Sequence, residues 1–135
     1  KSALLIADGG MKYSGDIVKA LAIGADLVLS GSLFAACYES PGDREKDTNG
    51  RECKIYRGQA SKESQMDWRG YMTSAPEGAS ALVPIKGTFP EVWQDLVGGV
   101  KSGCSYCNAK NLTELRQHAR FIRQTSSDMH ILSRT

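Results

Sequence analysis

Two short glycine-bearing segments, Ala7-Asp8-Gly9-Gly10 and Leu29-Ser30-Gly31-Ser32, hold the residue types most suited to binding an anion. Each follows an apolar run, Ala3 to Ile6 and Leu27 to Leu29, of the kind that forms a buried parallel strand. Parallel strands joined through a helix present their C-terminal ends on one side of a sheet. The backbone amides of the two glycine turns then converge on one anion, placed among Gly10, Gly31 and Ser32, with Tyr56 donating its hydroxyl. Asp8 stands where a carboxylate accepts hydrogen bonds from ribose hydroxyls. The combination points to a nucleoside monophosphate or another sugar phosphate. The blander use of Gly9-Gly10 is relief of a tight turn.

Other reactive side chains are more scattered. Cys104-x-x-Cys107 has the spacing of a redox motif or half a zinc site, but Cys37 and Cys53 do not supply a second close pair. The expectation is therefore reduced thiols and no metal. His118 and His130 are isolated. Glu77, in Pro76-Glu77-Gly78, is the acidic residue of an irregular stretch, and its bland reading is a solvated charge.

The elements that must position these groups follow from periodicity and punctuation. Ser14 reads as an N-cap with Asp16 in the first turn, Ile17, Ala20 and Leu21 follow helical spacing, and Gly24 closes the helix. A second strand begins near Asp26, and Leu33 to Cys37 suits a short helix. Ser40 to Asn49 is polar, Asn49-Gly50 is a hairpin signal, and Lys54 to Arg57 is the returning strand, ending at Gly58. Ser61 to Leu82 lacks sustained periodicity and is expected to be a mobile flap over a site. Thr88-x-x-Glu91, with Pro90, and Asn111-x-x-Glu114 are capping boxes that open two further helices. Arg116 to Arg123 is expected on a solvated helix face, and no GxGxxG follows a strand.

With 135 residues, 41% apolar, 24% charged and a formal net charge of +2, the chain has the make-up of one globular domain. That charge does not argue for nucleic acid, and no run approaches the ~20 apolar residues of a membrane span. No signal peptide is visible, so the expected location is cytoplasmic. The chain opens on Lys1-Ser2-Ala3 and enters a buried-type strand at once. Two parallel strands alone leave unpaired edges, so a truncated piece of a larger protein is expected.

The same residues carry a resemblance. IADGG (Ile6 to Gly10), SGDIVKALAIGAD (Ser14 to Asp26), GSLFA (Gly31 to Ala35) and ESPGD (Glu39 to Asp43) resemble the C-terminal part of the IMP dehydrogenase/GMP reductase family. YRG (Tyr56 to Gly58), APEG (Ala75 to Gly78), VPIKG (Val83 to Gly87), LVGGVKSG (Leu96 to Gly103) and FIR (Phe121 to Arg123) continue it in order. The resemblance implies an α/β fold that is the C-terminal portion of a (β/α)8 TIM barrel: its last two strands, flap and closing helices. Residues 1–135 would belong to one catalytic domain, with 39–83 as a hairpin excursion and mobile flap.

It also implies roles. Asp8 would hold the ribose, and Gly9, Gly10, Gly31, Ser32 and Tyr56 the 5′-phosphate. Gly58, Gln59, Ala60 and Ser61 would lie along the base, with Gln59 where relatives often have Met, and Glu77 would meet the purine as the catalytic carboxylate. Ser102 and Tyr106 would touch the nicotinamide cofactor from a neighbouring subunit of a homotetramer. The cysteine nucleophile that forms an adduct at the purine C2 matches none of the four cysteines and would lie upstream.

The family holds two activities. GMP reductase uses NADPH to convert GMP to IMP and ammonia; IMP dehydrogenase uses NAD, with a monovalent cation, to oxidise IMP to XMP. The dehydrogenase's adjacent Arg-Tyr pair is here split, as Arg69-Gly70-Tyr71, in a shorter flap, and the chain ends soon after Arg123. Both features favour the reductase, whereas APEG and LVGGVKSG read as dehydrogenase-like. A nucleotide-binding barrel without catalysis is the other alternative.

Overall fold

A computed structural model describes residues 3–58, 61–71 and 80–123. Two three-residue strands, β1 (Ile6–Asp8) and β2 (Leu27–Leu29), are joined by helix α1 (Ser14–Ala22) and followed by the short helix α2 (Ser32–Ala35). The strands pair in parallel, with Ile6 opposite Leu27 and Asp8 opposite Leu29, so both glycine turns leave the same sheet end. Helix α1 is capped one residue earlier than the sequence suggests, at Tyr13 rather than Ser14. The Asp16 carboxylate decides this: its Oδ2 accepts the Lys12 and Tyr13 amides at 3.0 and 3.1 Å, drawing Ser14 into the first turn.

The chain then leaves this unit for an antiparallel sheet. Strand β3 (Arg44–Lys46) pairs with β4 (Glu52–Arg57) through the expected hairpin, whose turn is tied by Asp47 Oδ1 accepting the Asn49 and Arg51 amides, each at 2.9 Å. One element falls inside the stretch expected to be an irregular flap, Ser61 to Leu82, and a second overlaps its end. Helix α3 (Lys62–Arg69) forms because Ser61 Oγ accepts the Ser64 amide at 3.2 Å and Gly70 ends the helix in the left-handed region. Strand β5 (Ser80–Pro84) adds to the free edge of β4, with Arg57 opposite Ser80 and Cys53 opposite Pro84. Pro84 is accommodated because it stands at the end of an outer strand.

Helix α4 (Phe89–Tyr106) starts at the predicted box: Glu91 Oε2 accepts from the Thr88 amide at 2.7 Å and from its hydroxyl at 2.8 Å. Helix α5 (Leu112–His118) starts at the other, where Asn111 Oδ1 accepts the Glu114 amide at 2.9 Å. One cluster packs Met11, Ala20, Ala25 and Leu33 against Ala7, Val28 and Leu96; a second packs Leu21, Ala22 and Leu115 against Val18, Val100 and Cys104. Close approach of α1 and α4 depends on Gly99 and Gly103. A methyl on Gly99 would stand 2.4 Å from Ser14 Cβ, and one on Gly103 2.6 Å from a Val18 methyl.

Arg116 does not lie on a solvated face. It reaches from α5 to the Ala25 carbonyl at 2.7 Å and Asp26 Oδ1 at 3.0 Å, fastening α5 beneath the entry to β2. The far face of the parallel pair is bare: Ile6, Leu27 and Leu29 are each about half exposed. No helix among the described residues is long and apolar enough to cross a membrane.

Candidate functional site

The glycine turns meet side by side. Gly9 and Gly10 both have φ near +74° (74° and 73°), which favours glycine, and space beside them is open. The Gly9 N–H donates to the Leu29 carbonyl at 2.9 Å, extending the ladder past Asp8, so that amide is occupied. The Gly10 N–H has no partner among the described residues. Across the ladder, Gly31 and Ser32 open α2, whose first-turn amides have no intrahelical acceptor. The Ser32 hydroxyl donates to the Met11 carbonyl at 3.3 Å, tying α2 to the loop after Gly10.

Tyr56 arrives from the other sheet. Its hydroxyl lies so close to Gly31 that a Cβ built there would stand 2.6 Å from Oη. Only a residue without a side chain lets the phenol reach the α2 turn. Gly31, Ala35, Tyr56, Arg57 and Ser64 line a cavity of about 330 Å3 between α2, β4 and α3. Asp8 is exposed on the open face of the parallel pair and has no hydrogen-bond or ion-pair partner among the described residues. Its carboxylate is available to a ligand.

The base-loop residues are less complete. Gly58 accepts the Ser61 amide at 2.9 Å, and Ser61 is fully buried with its hydroxyl capping α3. Gln59 and Ala60 lie outside the described residues, as does Glu77. Ser102 and Tyr106 are both exposed on α4, one helical turn apart, and Tyr106 is 91% exposed. Among the described residues, Tyr106 therefore packs against nothing.

All four cysteines are free thiols. Burial, and then the Glu39 charge, push the Cys37 thiol up, the wrong direction for a nucleophile. Cys104 and Cys107 pack on the second core cluster.

Sequence reasoning missed Lys54. It is buried on β4, two residues before Tyr56 and so on the same strand face, and it too lines the cavity. The spacing was visible, but its burial depends on how the Ser40–Gly42 loop folds back.

The model of the IMP dehydrogenase / GMP reductase domain matches residues 1–131. The chain belongs to that family. It is 44% identical to the inosine-5′-monophosphate dehydrogenase of Chlorobaculum parvum over 93% of its own length and 28% of that protein's. It is 38% identical to a GMP reductase of Leishmania donovani, over 92% of this chain and 27% of that one. Among solved structures it superposes with TM-score 0.83 and 37% identity on a GMP reductase variant from Trypanosoma brucei in complex with guanosine 5′-monophosphate. That match covers 96% of this chain and 27% of the other. The chain thus spans a little over a quarter of the length of these relatives.

Proposed function

We propose that this chain is the nucleotide-binding, C-terminal portion of a (β/α)8-barrel oxidoreductase acting on purine nucleoside monophosphates, in the manner of GMP reductase. The observation that carries the reading is the meeting at Gly31. A glycine turn at one strand end is backed by the Tyr56 hydroxyl and stands beside the unpartnered Gly10 amide and Asp8 carboxylate of the next. Such donors suit a phosphate, and the carboxylate suits the two ribose hydroxyls. The GMP bound by the Trypanosoma brucei relative is the ligand class this reading brings here.

In this reading the 5′-phosphate takes the Gly10, Gly31 and Ser32 amides and the Tyr56 hydroxyl, while the Gly58–Ser61 loop lies along the base. Glu77 handles the proton that leaves with ammonia. The nucleophilic cysteine lies elsewhere in the protein. NADPH, when bound, supplies hydride to the purine C2. Ser102 and Tyr106, exposed on α4 at helical spacing, suit contact with a cofactor held by a neighbouring subunit of a cytoplasmic homotetramer.

The reductase type is favoured by the separation of Arg69 from Tyr71. Gly70 ends α3 between them in the left-handed region, and the Arg69 guanidinium lies over the Trp68 ring at 5.2 Å. A dehydrogenase reading rests on the 44% identity to the Chlorobaculum parvum enzyme.

The test is to incubate the intact native protein with GMP and NADPH, or with IMP and NAD, and follow the absorbance of the reduced cofactor. Loss with GMP marks a reductase, gain with IMP a dehydrogenase, and nucleotide binding without either a non-catalytic barrel. Asp8→Ala should cost ~1.5–3 kcal/mol of nucleotide affinity with the fold unchanged. Unaltered affinity would remove Asp8 from the site.

A further inference from the structure

Lys54 is only 5% exposed, yet no carboxylate pairs with it among the described residues. Its ammonium donates to two neutral acceptors, the Ser40 carbonyl at 2.6 Å and the Gly42 carbonyl at 3.3 Å, and its third N–H has no acceptor among the described residues. Burying a cation beside neutral partners is costly unless a negative charge arrives to compensate it. The cavity that Lys54 lines with Gly31 and Tyr56 holds one other cation, Arg57, and that guanidinium is paired with Asp67.

The two carbonyls belong to the loop that supports the anion turn. The Ser40 hydroxyl donates to the Ala35 carbonyl at 3.0 Å, and the Ala35 amide donates to Gly31 at 2.8 Å. Three hydrogen bonds, linked through the backbone of Ser40 and Ala35, therefore connect the Lys54 ammonium by way of α2 to the glycine against which Tyr56 rests. Two residues apart on one face of β4, Tyr56 reaches the Gly31 turn and Lys54 reaches the Ser40–Gly42 loop, and both line the same cavity.

We propose that Lys54 is the positioning cation of the phosphate site: it fixes the Ser40–Gly42 loop under α2 and supplies the positive charge that a cradle of amides and one phenol lacks. The assignment rests on the nucleotide-binding reading above. It is tested with the intact native protein by comparing the affinities of GMP and guanosine, whose ratio isolates what the phosphate contributes. Lys54→Gln keeps two donors for the carbonyls and removes the charge. It should lower GMP affinity roughly tenfold while leaving guanosine unchanged, and Lys54→Arg should restore the ratio to within about threefold. Lys54→Met removes tether and charge together and should add a fall in Tm; if it does not fold, the glutamine variant decides. Equal losses on both ligands, or no loss with Lys54→Gln, would overturn the assignment. A wild-type protein that binds GMP and guanosine equally would instead overturn the site itself, and this assignment with it.

Discussion

The parallel pair β1–β2 and the antiparallel sheet β3–β4–β5 are stabilised by different means, though the turn after β2 meets β4 where Tyr56 rests on Gly31. The parallel strands have only three residues each and owe their position to apolar burial: Ala7 and Val28 rest on clusters built from α1, α2, α4 and α5. The antiparallel sheet buries little beyond Cys53 and Lys54 and is held by its ladders, the Asp47 turn and the caps of α3. The first is a platform fixed from behind; the second is a polar arm laid across it. The Gly31–Tyr56 contact and the Lys54 tether join them where the ligand is proposed to bind.

The largest effect should come from the platform. Leu115 is fully buried beneath Leu21 and Ala22, and Leu115→Ala should cost ~2–5 kcal/mol, read as a drop in Tm or in denaturant midpoint. A loss under 1 kcal/mol would mean that packing from α5 does not hold the parallel unit.

The junction comes next. Gly31→Ala forces a methyl against Tyr56 Oη and should weaken nucleotide binding by ~1–3 kcal/mol. Tyr56→Phe removes the clashing oxygen, so the two substitutions should be strongly non-additive in a double-mutant cycle. Additive losses would show that the two regions do not meet at this point.

Acid should separate the regions more gently. The Lys12 amide first, then the Tyr13 amide and the Lys19 ammonium, hold the Asp16 carboxyl below its usual range against partial desolvation. Because its folded pKa is depressed, its contribution is full above the unfolded value and is lost as pH falls through the folded one. Asp16→Ala should therefore lower stability at neutral pH, by no more than ~1 kcal/mol given its exposure, and flatten the acid limb of a Tm-versus-pH curve. The Asp47 carboxyl is likewise depressed, chiefly by the Arg51 amide, but it ties only a hairpin turn. Its protonation should appear as reduced amide protection factors at Asn49 and Arg51, each taken against the intrinsic exchange rate at that pH, without a global shift.

The smallest effect belongs to the arm. Arg57 and Asp67 form an ion pair between two largely exposed side chains, joining β4 to α3. Their coupling should be ~0–1 kcal/mol in a double-mutant cycle and should shrink with added salt. A larger, salt-resistant coupling would show that the arm is held more rigidly than its exposure implies.

The same division governs what the sequence discloses. The β1–α1–β2 unit is legible because apolar runs, an acidic first turn and glycine stops agree, and the two boxes at Thr88 and Asn111 locate α4 and α5. Helix α3 is not legible as a periodic pattern: Lys62 to Arg69 is almost wholly polar and relies on Ser61 and Gly70 at its ends. Strand β5 is hidden because its partner, β4, is distant in sequence and its own residues end on Pro84. Arg116 looks like one surface charge among several until α5 is docked against β2. In the site, the adjacency of Gly31 and Asp8 follows from parallel pairing, whereas the burial of Lys54 follows only from a loop conformation.

Gly99 and Gly103 make α4 a two-sided constraint on natural variation. Along the side that meets Ser14 and Val18, drift is blocked because hydrogen is the largest substituent that fits. Ser102 and Tyr106, exposed on the same helix, meet no packing partner among the described residues, so what restrains them is whatever they touch outside this chain. One helix is thus answerable to two masters: its glycines to the platform beneath it, its outward side chains to a neighbour the chain itself does not supply.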